Sequence, residues 1–523
     1  MSKHQISGNT IERQVSTMSE SIGKVKRYRP QFTAVLGILV LLFVAAANGH
    51  LHITNLTSNG KVQTIPSAIK GKTHVASPAD DWSMYLHDFG HTGYNTAEQI
   101  INPSSVGSLK PRWIHRVGGE AGVTLSTQPV VAFGLVYWGA WDGYEHATDP
   151  AKPNKDVWTA YLGKTEYNAN CKPSQVGIAS TATVASVNIG GTMTPVLFVG
   201  GGNGTFYALN ARTGQVIWSR PFGSVSQGYF LWSSPYLWRG DLYIGVASWG
   251  DCPLIRGKVV KLNASDGTLE KTWYAVPADC TGAGVWSSIT IDQEADKLYF
   301  ATGTWSLPTP PCSINAQSMV ELTADNLSFL GSWQPPMSEE VDDGDFGAGA
   351  ILFTATIGGT VHYMVGAENK NGIFYAFERD HISRGPVWRT RLSTAGTNVG
   401  VSAWDGTYLY LVGNDTKIHG KSCDGSLRAV DPATGAFVWR DCLSGGRING
   451  SVTLVPGLAV VGVGSTLYAV ATTTTAIGTP GKILFSYQDT SYHWFYAGPT
   501  ISNGVLYAVN SDGNFYAFTI KGQ

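Results

Sequence analysis

The chain has 523 residues and a formal net charge of −1, with only 14% charged residues and no long basic or acidic block. Nucleic-acid binding needs a basic stripe, so the sequence predicts no nucleic-acid partner. Glycine, tryptophan and tyrosine are abundant, with 62, 17 and 23 residues respectively. Many glycines and aromatic residues at low charge are typical of short strands joined by tight turns.

The first 80 residues predict targeting and linker segments rather than a folded domain. Residues 1–30 form a polar tail, and Lys24, Lys26, Arg27 and Arg29 precede an uncharged apolar run within residues 31–48. The basic flank places the N-terminus in the cytoplasm under the positive-inside rule. Two interpretations of residues 31–48 stay open: an uncleaved transmembrane signal anchor, or a signal peptide whose cleavage releases a secreted protein.

Both interpretations place the rest of the chain outside the cytoplasm, at the cell surface or in the periplasm. Residues 49–80 are rich in Ser, Thr, Asn, Gly and Lys, and they predict a flexible linker. Globular sequence begins at Asp81-Trp82 and continues to residue 523.

A repeated unit organises the globular part. Residues 206–210, Thr213-Gly214 and Trp218 return as residues 427–431, Thr434-Gly435 and Trp439. The glycine supplies the positive-φ position of a turn, and the tryptophan packs between neighbouring units. Looser copies recur, with aromatic residues at unit ends 45 to 60 residues apart: Trp113, Trp158, Trp218, Trp273, Trp333, Trp388, Trp439 and Tyr487. This period fits four strands and their loops, which is one blade of a β-propeller.

The number of units predicts an all-β, eight-bladed propeller. The units open near Val130, Val196, Pro235, Ser288, Ala350, Val401, Val452 and Thr500. The last unit ends without its tryptophan strand, whereas residues 111–117 form such a strand with no unit before it. We therefore expect the 111–117 strand to complete the last blade, since joining the two ends of the chain leaves no open edge.

Six cysteines occur, and none forms a Cys-x-x-Cys or a haem-attachment motif. An even number of cysteines in an exported chain predicts disulfides, although six allow many connectivities. Cys423 and Cys442 flank one repeat unit and are the pair we expect first.

Several segments resemble the quinoprotein alcohol dehydrogenases, most closely the polyvinyl-alcohol-dehydrogenase-like branch. The similar segments are the Thr-Gly…Trp unit, Asp81–Tyr85, Asn102-Pro103, Leu109–Trp113 and Trp141–Tyr144. This resemblance covers residues 80–520. It implies an eight-bladed propeller that binds pyrroloquinoline quinone (PQQ) and Ca²⁺ at one end of its axis.

The resemblance implies roles for four residues at the cofactor. Trp286 corresponds to the tryptophan on which the quinone lies, and Asp345 falls at the position of the catalytic base. Lys370, preceded by Asn369, matches the segment whose cation contacts the quinone oxygens. Oxidising an alcohol through a quinone requires a base for the hydroxyl proton, and a cation stabilises charge that develops on the quinone.

The implied metal ligands match less closely. Asp251 stands where the family has a glutamate, and Thr304 stands where it has an asparagine. A threonine hydroxyl is a poorer Ca²⁺ ligand than an amide carbonyl. The adjacent-cysteine disulfide of many family members is missing, as is a haem motif, so electrons would pass to a separate acceptor.

Two functions remain open at this point. One is an extracytoplasmic quinoprotein oxidoreductase that acts on small or polymeric alcohols. The other is a non-catalytic propeller that binds proteins or polymers at the cell surface. Fold alone does not choose between them, because propellers host many functions.

Overall fold

The computed structural model describes residues 80–118, 122–153, 155–394 and 398–523. The predicted tail (1–30), anchor or signal peptide (31–48) and all but the last residue of the linker (49–80) lie outside the described residues. In this described part of the chain, no helix is long and apolar enough to cross a membrane. Its regular structure consists of β-strands and short 3₁₀ turns, the latter at Val106–Ser108, Val225–Gln227, Met337–Glu339 and Ile382–Arg384.

The strands form eight antiparallel sheets, which confirms the predicted eight-bladed propeller. Blades 1 to 4 contain β2 to β18: blade 1, Val130–Ala132, Leu135–Gly139, Tyr144–Thr148 and Asp156–Tyr161; blade 2, Thr183–Ile189, Thr192–Gly200, Thr205–Asn210 and Val216–Pro221; blade 3, Tyr229–Phe230, Tyr236–Trp238, Asp241–Ser248, Lys258–Asn263 and Leu269–Tyr274; blade 4, Thr290–Asp292, Lys297–Ala301, Met319–Thr323 and Phe329–Trp333.

Blades 5 to 8 contain β19 to β33 together with β1. Their strands are, for blade 5, Ile351–Ile357, Thr360–Asn369, Ile373–Glu378 and Trp388–Arg391; for blade 6, Ala403–Trp404, Leu409–Ile418, Lys421–Val430 and Phe437–Leu443; for blade 7, Thr453–Val455, Leu458–Val463, Thr466–Ala471 and Ile483–Gln488; for blade 8, Thr500–Ser502, Val505–Val509, Asn514–Ile520 and β1, Leu109–Arg116.

The predicted opening of the second unit was wrong by one strand. Val196 lies on β7, whereas the innermost strand of blade 2 is β6, Thr183–Ile189. The most continuous apolar run of this blade, residues 196–199, lies on β7, so the sequence pattern pointed to β7 rather than to β6. The other seven openings lie within two residues of an innermost strand.

The predicted tryptophans lie on outermost strands and bind the next blade. The indole nitrogen of Trp158 in blade 1 donates to the carbonyl of Ala211 in blade 2 at 2.9 Å, and Trp218 donates to Ala264 in blade 3 at 3.1 Å. The Thr-Gly glycine has two reasons to be glycine. Gly214 has a φ of 71°, and a Cβ there would lie 2.6 Å from the Trp158 ring. The repeat therefore encodes a contact between blades as well as a turn.

The last blade contains strands from both ends of the globular chain. β1 pairs antiparallel with β33, from Leu109 opposite Ile520 to Arg116 opposite Asn514. Trp113 on β1 then donates to the carbonyl of Pro150 in blade 1 at 3.2 Å. Near the axis, blades 8 and 1 are joined again, because the Thr500 hydroxyl of blade 8 donates to the Pro129 carbonyl at 2.5 Å.

Residues 80–95, which we call the axial segment, contact the innermost strand of every blade. The contacts in blades 1 to 4 are Trp82 with Val131, Ser83 with Val184, Phe89 with Tyr236 and His91 with Thr290. Those in blades 5 to 8 are Gly90 with Leu352, Thr92 with Trp404, Gly93 with Leu454 and Asn95 with Ile501. Most of these hydrogen bonds are made by the main chain. The segment thus occupies the axis and pairs the inner edges of the sheets.

Three disulfides form: Cys171–Cys252, Cys280–Cys312 and Cys423–Cys442. The pair expected first, Cys423 with Cys442, joins neighbouring strands of blade 6. Cys171–Cys252 instead ties the loop between blades 1 and 2 to blade 3. Structural disulfides are typical of proteins in an oxidising, extracytoplasmic compartment.

We expect Gly214→Ala to destabilise the protein more than Gly134→Ala. Both glycines have positive φ, but a Cβ at Gly134 would meet nothing within 4 Å. The free energy of unfolding should fall by about 1 kcal/mol in Gly134→Ala and by about 3 kcal/mol in Gly214→Ala, because only the latter also displaces a packed indole. Urea unfolding followed by tryptophan fluorescence measures both values. Equal losses would show that the glycine serves the turn alone.

Candidate functional site

One end of the propeller axis holds a cavity of about 580 Å³, lined by all eight blades. Its wall has a regular register, because each blade contributes the residues two and four positions before its innermost strand, which in blade 3 is Tyr236–Trp238. The layer four positions before the strands consists of Ser126, Ala179, Trp232, Trp286, Gly347, Val399, Asn449 and Tyr496. Tyr85 of the axial segment also lines the cavity. The axial segment therefore forms its floor.

Three of the predicted site residues meet where blades 4 and 5 adjoin: Trp286 and Lys370 line the cavity, and Asp345 is buried behind them. The Trp286 indole nitrogen donates to Asp345 Oδ2 at 3.0 Å, and Lys370 Nζ contacts Asp345 Oδ1 at 2.5 Å. The same ammonium lies 5.1 Å from the centre of the Trp286 ring. Asp345 is only 4% exposed, so these contacts replace most of its hydration. The local sequence explains this meeting, because the Lys370 amide also donates to the Asp345 carbonyl at 3.0 Å.

Small residues make room for this cluster. A Cβ at Gly303 would lie 3.3 Å from both Asp345 Oδ2 and Trp286 Cδ1. A Cβ at Gly347 would lie 3.2 Å from the far edge of the Trp286 ring. Both distances are shorter than comfortable carbon contacts, so glycine at these positions lets the indole and the carboxylate approach each other.

Burial and ion pairing shift the pKa values of the pair. Burial raises the pKa of Asp345 to about 6, against the lowering effect of the Lys370 ammonium and the Trp286 N–H. Burial alone would lower the pKa of Lys370, but its contacts with Asp345 and Asp343 outweigh burial and hold that pKa above its usual value. A carboxylate with a pKa near 6 is suited to act as a general base at neutral pH.

Asn369 lies behind the pair, with no exposed surface. Its amide nitrogen donates to the Gly344 carbonyl at 2.8 Å, and its amide oxygen accepts from the Asn371 N–H at 2.8 Å. Both polar atoms thus hold the loops that carry Asp345 and Lys370. We interpret Asn369 as a positioning residue, and its predicted contact with a cofactor stays a prediction.

The residues present do not fit a Ca²⁺ ion well. Asp343 and Asp345 already share the Lys370 ammonium, at 2.9 and 2.5 Å. The Thr304 carbonyl accepts from the Ala283 N–H at 2.6 Å. In the described ranges, no group of three or more His, Cys, Asp and Glu side chains is arranged to hold a metal ion. Lysine stands where a cation would neutralise the carboxylates.

Asp251 nevertheless belongs to the same electrostatic environment. It occupies a turn with a φ of 55°, next to the disulfide-bonded Cys252. Burial raises its pKa, Lys370 lowers it and Asp343 raises it. The roles of Asp251 and Thr304 as metal ligands stay predictions.

Sequence reasoning missed most of the aromatic wall. Trp141, Trp232, Trp494 and Tyr496 line the cavity, as does the cation Arg447. Hydrogen bonds fix two of these rings: the Trp141 N–H donates to Ser126 Oγ at 2.8 Å, and the Trp232 N–H donates to the Ser248 carbonyl at 3.0 Å. Their common signal is a spacing of four or six residues before an innermost strand, seen in Trp232, Tyr496, Trp494 and Arg447. That spacing can be applied only when every innermost strand has been placed.

Comparisons with known proteins agree with this architecture. The family model described as "Glucose/ethanol/alcohol dehydrogenase, beta-propeller domain" matches residues 82–228. The solved quinohemoprotein alcohol dehydrogenase from Comamonas testosteroni superimposes with a TM-score of 0.64 over 85% of this chain and 81% of that chain, at 19% identity. These comparisons show an eight-bladed propeller fold like that of the solved alcohol dehydrogenase, and residues 82–228 are similar to the PQQ-dependent alcohol dehydrogenases.

The sequence relatives of this chain are distant. The quinohemoprotein alcohol dehydrogenase of Comamonas testosteroni is 24% identical over 58% of this chain and 46% of that protein. The quinoprotein alcohol dehydrogenase PedH of Pseudomonas putida is 23% identical over 67% of this chain and 59% of that protein. The chain thus spans about half the length of the curated relatives it matches. A second family model, described as "Outer membrane protein assembly factor BamB", matches residues 423–522.

We expect Lys370→Met to create a cation site that the unaltered chain lacks. Removing the ammonium leaves Asp343 and Asp345 close together without a counter-charge, and oxygen-rich anionic sites attract hard cations. Terbium luminescence sensitised by Trp286 reports such binding. We expect no saturable signal below about 1 mM Tb³⁺ in the unaltered protein and a clear one in Lys370→Met. Lys152→Met is the control, since Lys152 is 84% exposed.

A strong signal in the unaltered protein that Asp251→Asn abolishes would contradict this expectation. It would support the predicted metal role of Asp251 instead.

Proposed function

We propose that the chain is a quinoprotein oxidoreductase that uses PQQ to oxidise alcohol groups. The observation that carries the proposal is the meeting of three residues at the axial cavity: Lys370 and Trp286 line it, and both contact the buried carboxylate of Asp345 directly behind them. These residues are separated by up to 84 positions in the chain, and the family resemblance pointed to each of them independently.

The cavity fits a planar, anionic cofactor. Its volume of about 580 Å³ lies in the usual range for small-molecule sites. Aromatic faces suit stacking by a flat ring system, and Lys370 and Arg447 suit anionic oxygens. In this proposal Trp286 and Lys370 hold the quinone, which supplies the two-electron acceptor when bound.

The residues of the chain accept the proton, orient the base and stabilise charge. Asp345 receives the hydroxyl proton of the substrate at a carboxylate oxygen. The Trp286 N–H and the Lys370 ammonium each bind one oxygen of Asp345, and so they fix the direction of its free lone pairs. Lys370 also stabilises negative charge as it develops beside it. The aromatic wall and the axial segment exclude water from the floor, which strengthens these electrostatic interactions.

The setting of the reaction is part of the proposal. The substrate is a small or polymeric alcohol, and a separate protein or small molecule accepts the electrons. The polyvinyl-alcohol-dehydrogenase-like branch stays a prediction. The protein works at the cell surface or in the periplasm, held by residues 31–48 or released after their cleavage. The three disulfides support the extracytoplasmic part of this proposal.

A non-catalytic scaffold is the second candidate. The match of residues 423–522 to the assembly-factor family model favours it, since that match covers parts of blades 6 to 8 and comes from a description without enzymatic activity. A scaffold would bind a protein or polymer on one face and would need no quinone.

Reconstitution with PQQ separates the two candidates. We expect PQQ to quench tryptophan fluorescence saturably, and alcohols to drive reduction of an artificial electron-accepting dye. Asp345→Asn keeps the shape of the residue but removes the base, so dye reduction should fall roughly 100- to 10,000-fold while PQQ still binds. Asp342→Asn is the control, because this neighbouring carboxylate is not among the groups paired with Lys370. Absence of PQQ binding at tens of micromolar would favour the scaffold.

The pH dependence of turnover should report Asp345. A base works in its deprotonated form, so kcat should rise with pH up to about 6 and level off above it. Asp343 raises the pKa of Asp345 by charge repulsion, and Asp343→Asn should therefore move the inflection to lower pH. A profile that does not shift in Asp343→Asn would contradict the assignment of Asp345 as the base.

A further inference from the structure

Three polar side chains form a ladder on the wall of blade 7, two blades round the ring from the Asp345–Lys370 pair of blade 5. Arg447, Asn449 and Ser451 alternate along the loop that leads into β27 of blade 7, and all three line the axial cavity. They stand six, four and two residues before the innermost strand. We call these residues the blade 7 ladder.

The ladder has hydrogen-bonding capacity that the described protein does not use. Arg447 contacts one carboxylate, Asp415 at 2.8 Å, and its side chain is 42% exposed. Its guanidinium carries further donors in a planar fork that matches carboxylate geometry. The Ser451 hydroxyl is buried, in a residue only 3% exposed, and has no hydrogen-bond partner among the described residues. Such orphaned buried groups are uncommon, and each calls for a partner.

In four other blades, the residue two positions before the innermost strand has a polar side chain that forms hydrogen bonds within the ring. The hydroxyls of Thr181, Ser234 and Ser288 each accept a backbone N–H from the preceding blade, at 2.9 to 3.1 Å. Gln128 accepts from the Leu86 N–H and donates to the Pro499 carbonyl. Ser451 therefore differs from these four polar equivalents, because its hydroxyl lines the cavity without a hydrogen-bond partner among the described residues.

The number of carboxylates around each cation also favours anion binding at the blade 7 ladder. The Lys370 ammonium already contacts two carboxylates, Asp343 and Asp345. Arg447 contacts only one, and that contact is partly exposed to solvent. Attraction for an anion inside the cavity is therefore strongest on the blade 7 side rather than at Lys370.

We propose that the blade 7 ladder binds the carboxylate-bearing edge of the planar ligand in the axial cavity. Arg447 makes the charged contact, Asn449 adds a neutral donor, and Ser451 is the deepest member. This inference rests on the proposed function and adds a specificity to it. The site selects an anionic quinone, and it holds the quinone with its carboxylate-bearing edge toward blade 7 and a different edge toward Lys370.

Two quinones test the proposal on the purified protein. PQQ carries carboxyl groups, whereas phenanthrenequinone is a planar ortho-quinone without them. Tryptophan fluorescence titration gives the Kd of each. We expect Arg447→Ala to raise the Kd of PQQ by roughly 10- to 100-fold, and Ser451→Ala to raise it by about 3-fold. Neither variant should change the Kd of phenanthrenequinone more than about 2-fold, because no charged contact is lost.

The control is Arg440→Ala, which removes the same charge from an exposed position on β26. It should leave both affinities unchanged. Equal weakening of both quinones by Arg447→Ala, or no weakening of PQQ, would overturn the ladder while leaving the proposed oxidoreductase intact. If the unaltered protein binds neither quinone, the proposed function falls and the ladder inference falls with it.

Discussion

The innermost strands of a propeller impose one constraint on everything else: their inner edges face the axis with backbone N–H and C=O groups that need partners. In a narrow channel, an unpaired backbone group costs free energy comparable to a lost hydrogen bond. The axial segment, residues 80–95, bonds backbone groups of six innermost strands and contacts those of blades 3 and 4 through their side chains. Because it occupies the axis, the cavity above it has a floor, and the functional groups of the loops converge on a closed end rather than on a tunnel.

The repeat made the architecture predictable from sequence. A glycine with a positive φ, followed four residues later by a tryptophan, is a local sequence pattern. The glycine is required by a turn within its own blade and by contact with the tryptophan of the neighbouring blade. Trp158 and Gly214 illustrate this, because the contact between them is the reason that each recurs. β6 escaped prediction because the continuous apolar run of blade 2 lies on its partner β7, with which β6 pairs along its whole length.

The site was predictable only in part, for a geometric reason. The resemblance pointed to Asp345, Lys370 and Trp286 one at a time, but only the fold shows that an indole N–H and an ammonium bind the same carboxylate. Arg447 had no sequence signal of its own. Its position six residues before β27 places it in the lining of the same cavity as residues more than 300 positions earlier in the chain. Whether a residue faces the axial cavity depends on the assembled propeller, so it cannot be predicted from one segment of the sequence.

The pairing of β1 with β33 in blade 8 has a consequence for the order in which the protein folds. β1 and the axial segment are synthesised before the blades, yet their partners β31 and β33 are the last strands to emerge. Contacts that span more than 400 positions slow folding, because the ends of the chain must find each other before the contacts yield any stability. As the chain is synthesised, its first strand therefore stays unpaired until the last blade forms. The ring closes only after the final residues arrive, so loss of the C-terminal strand would leave the N-terminal tryptophan strand without its neighbour.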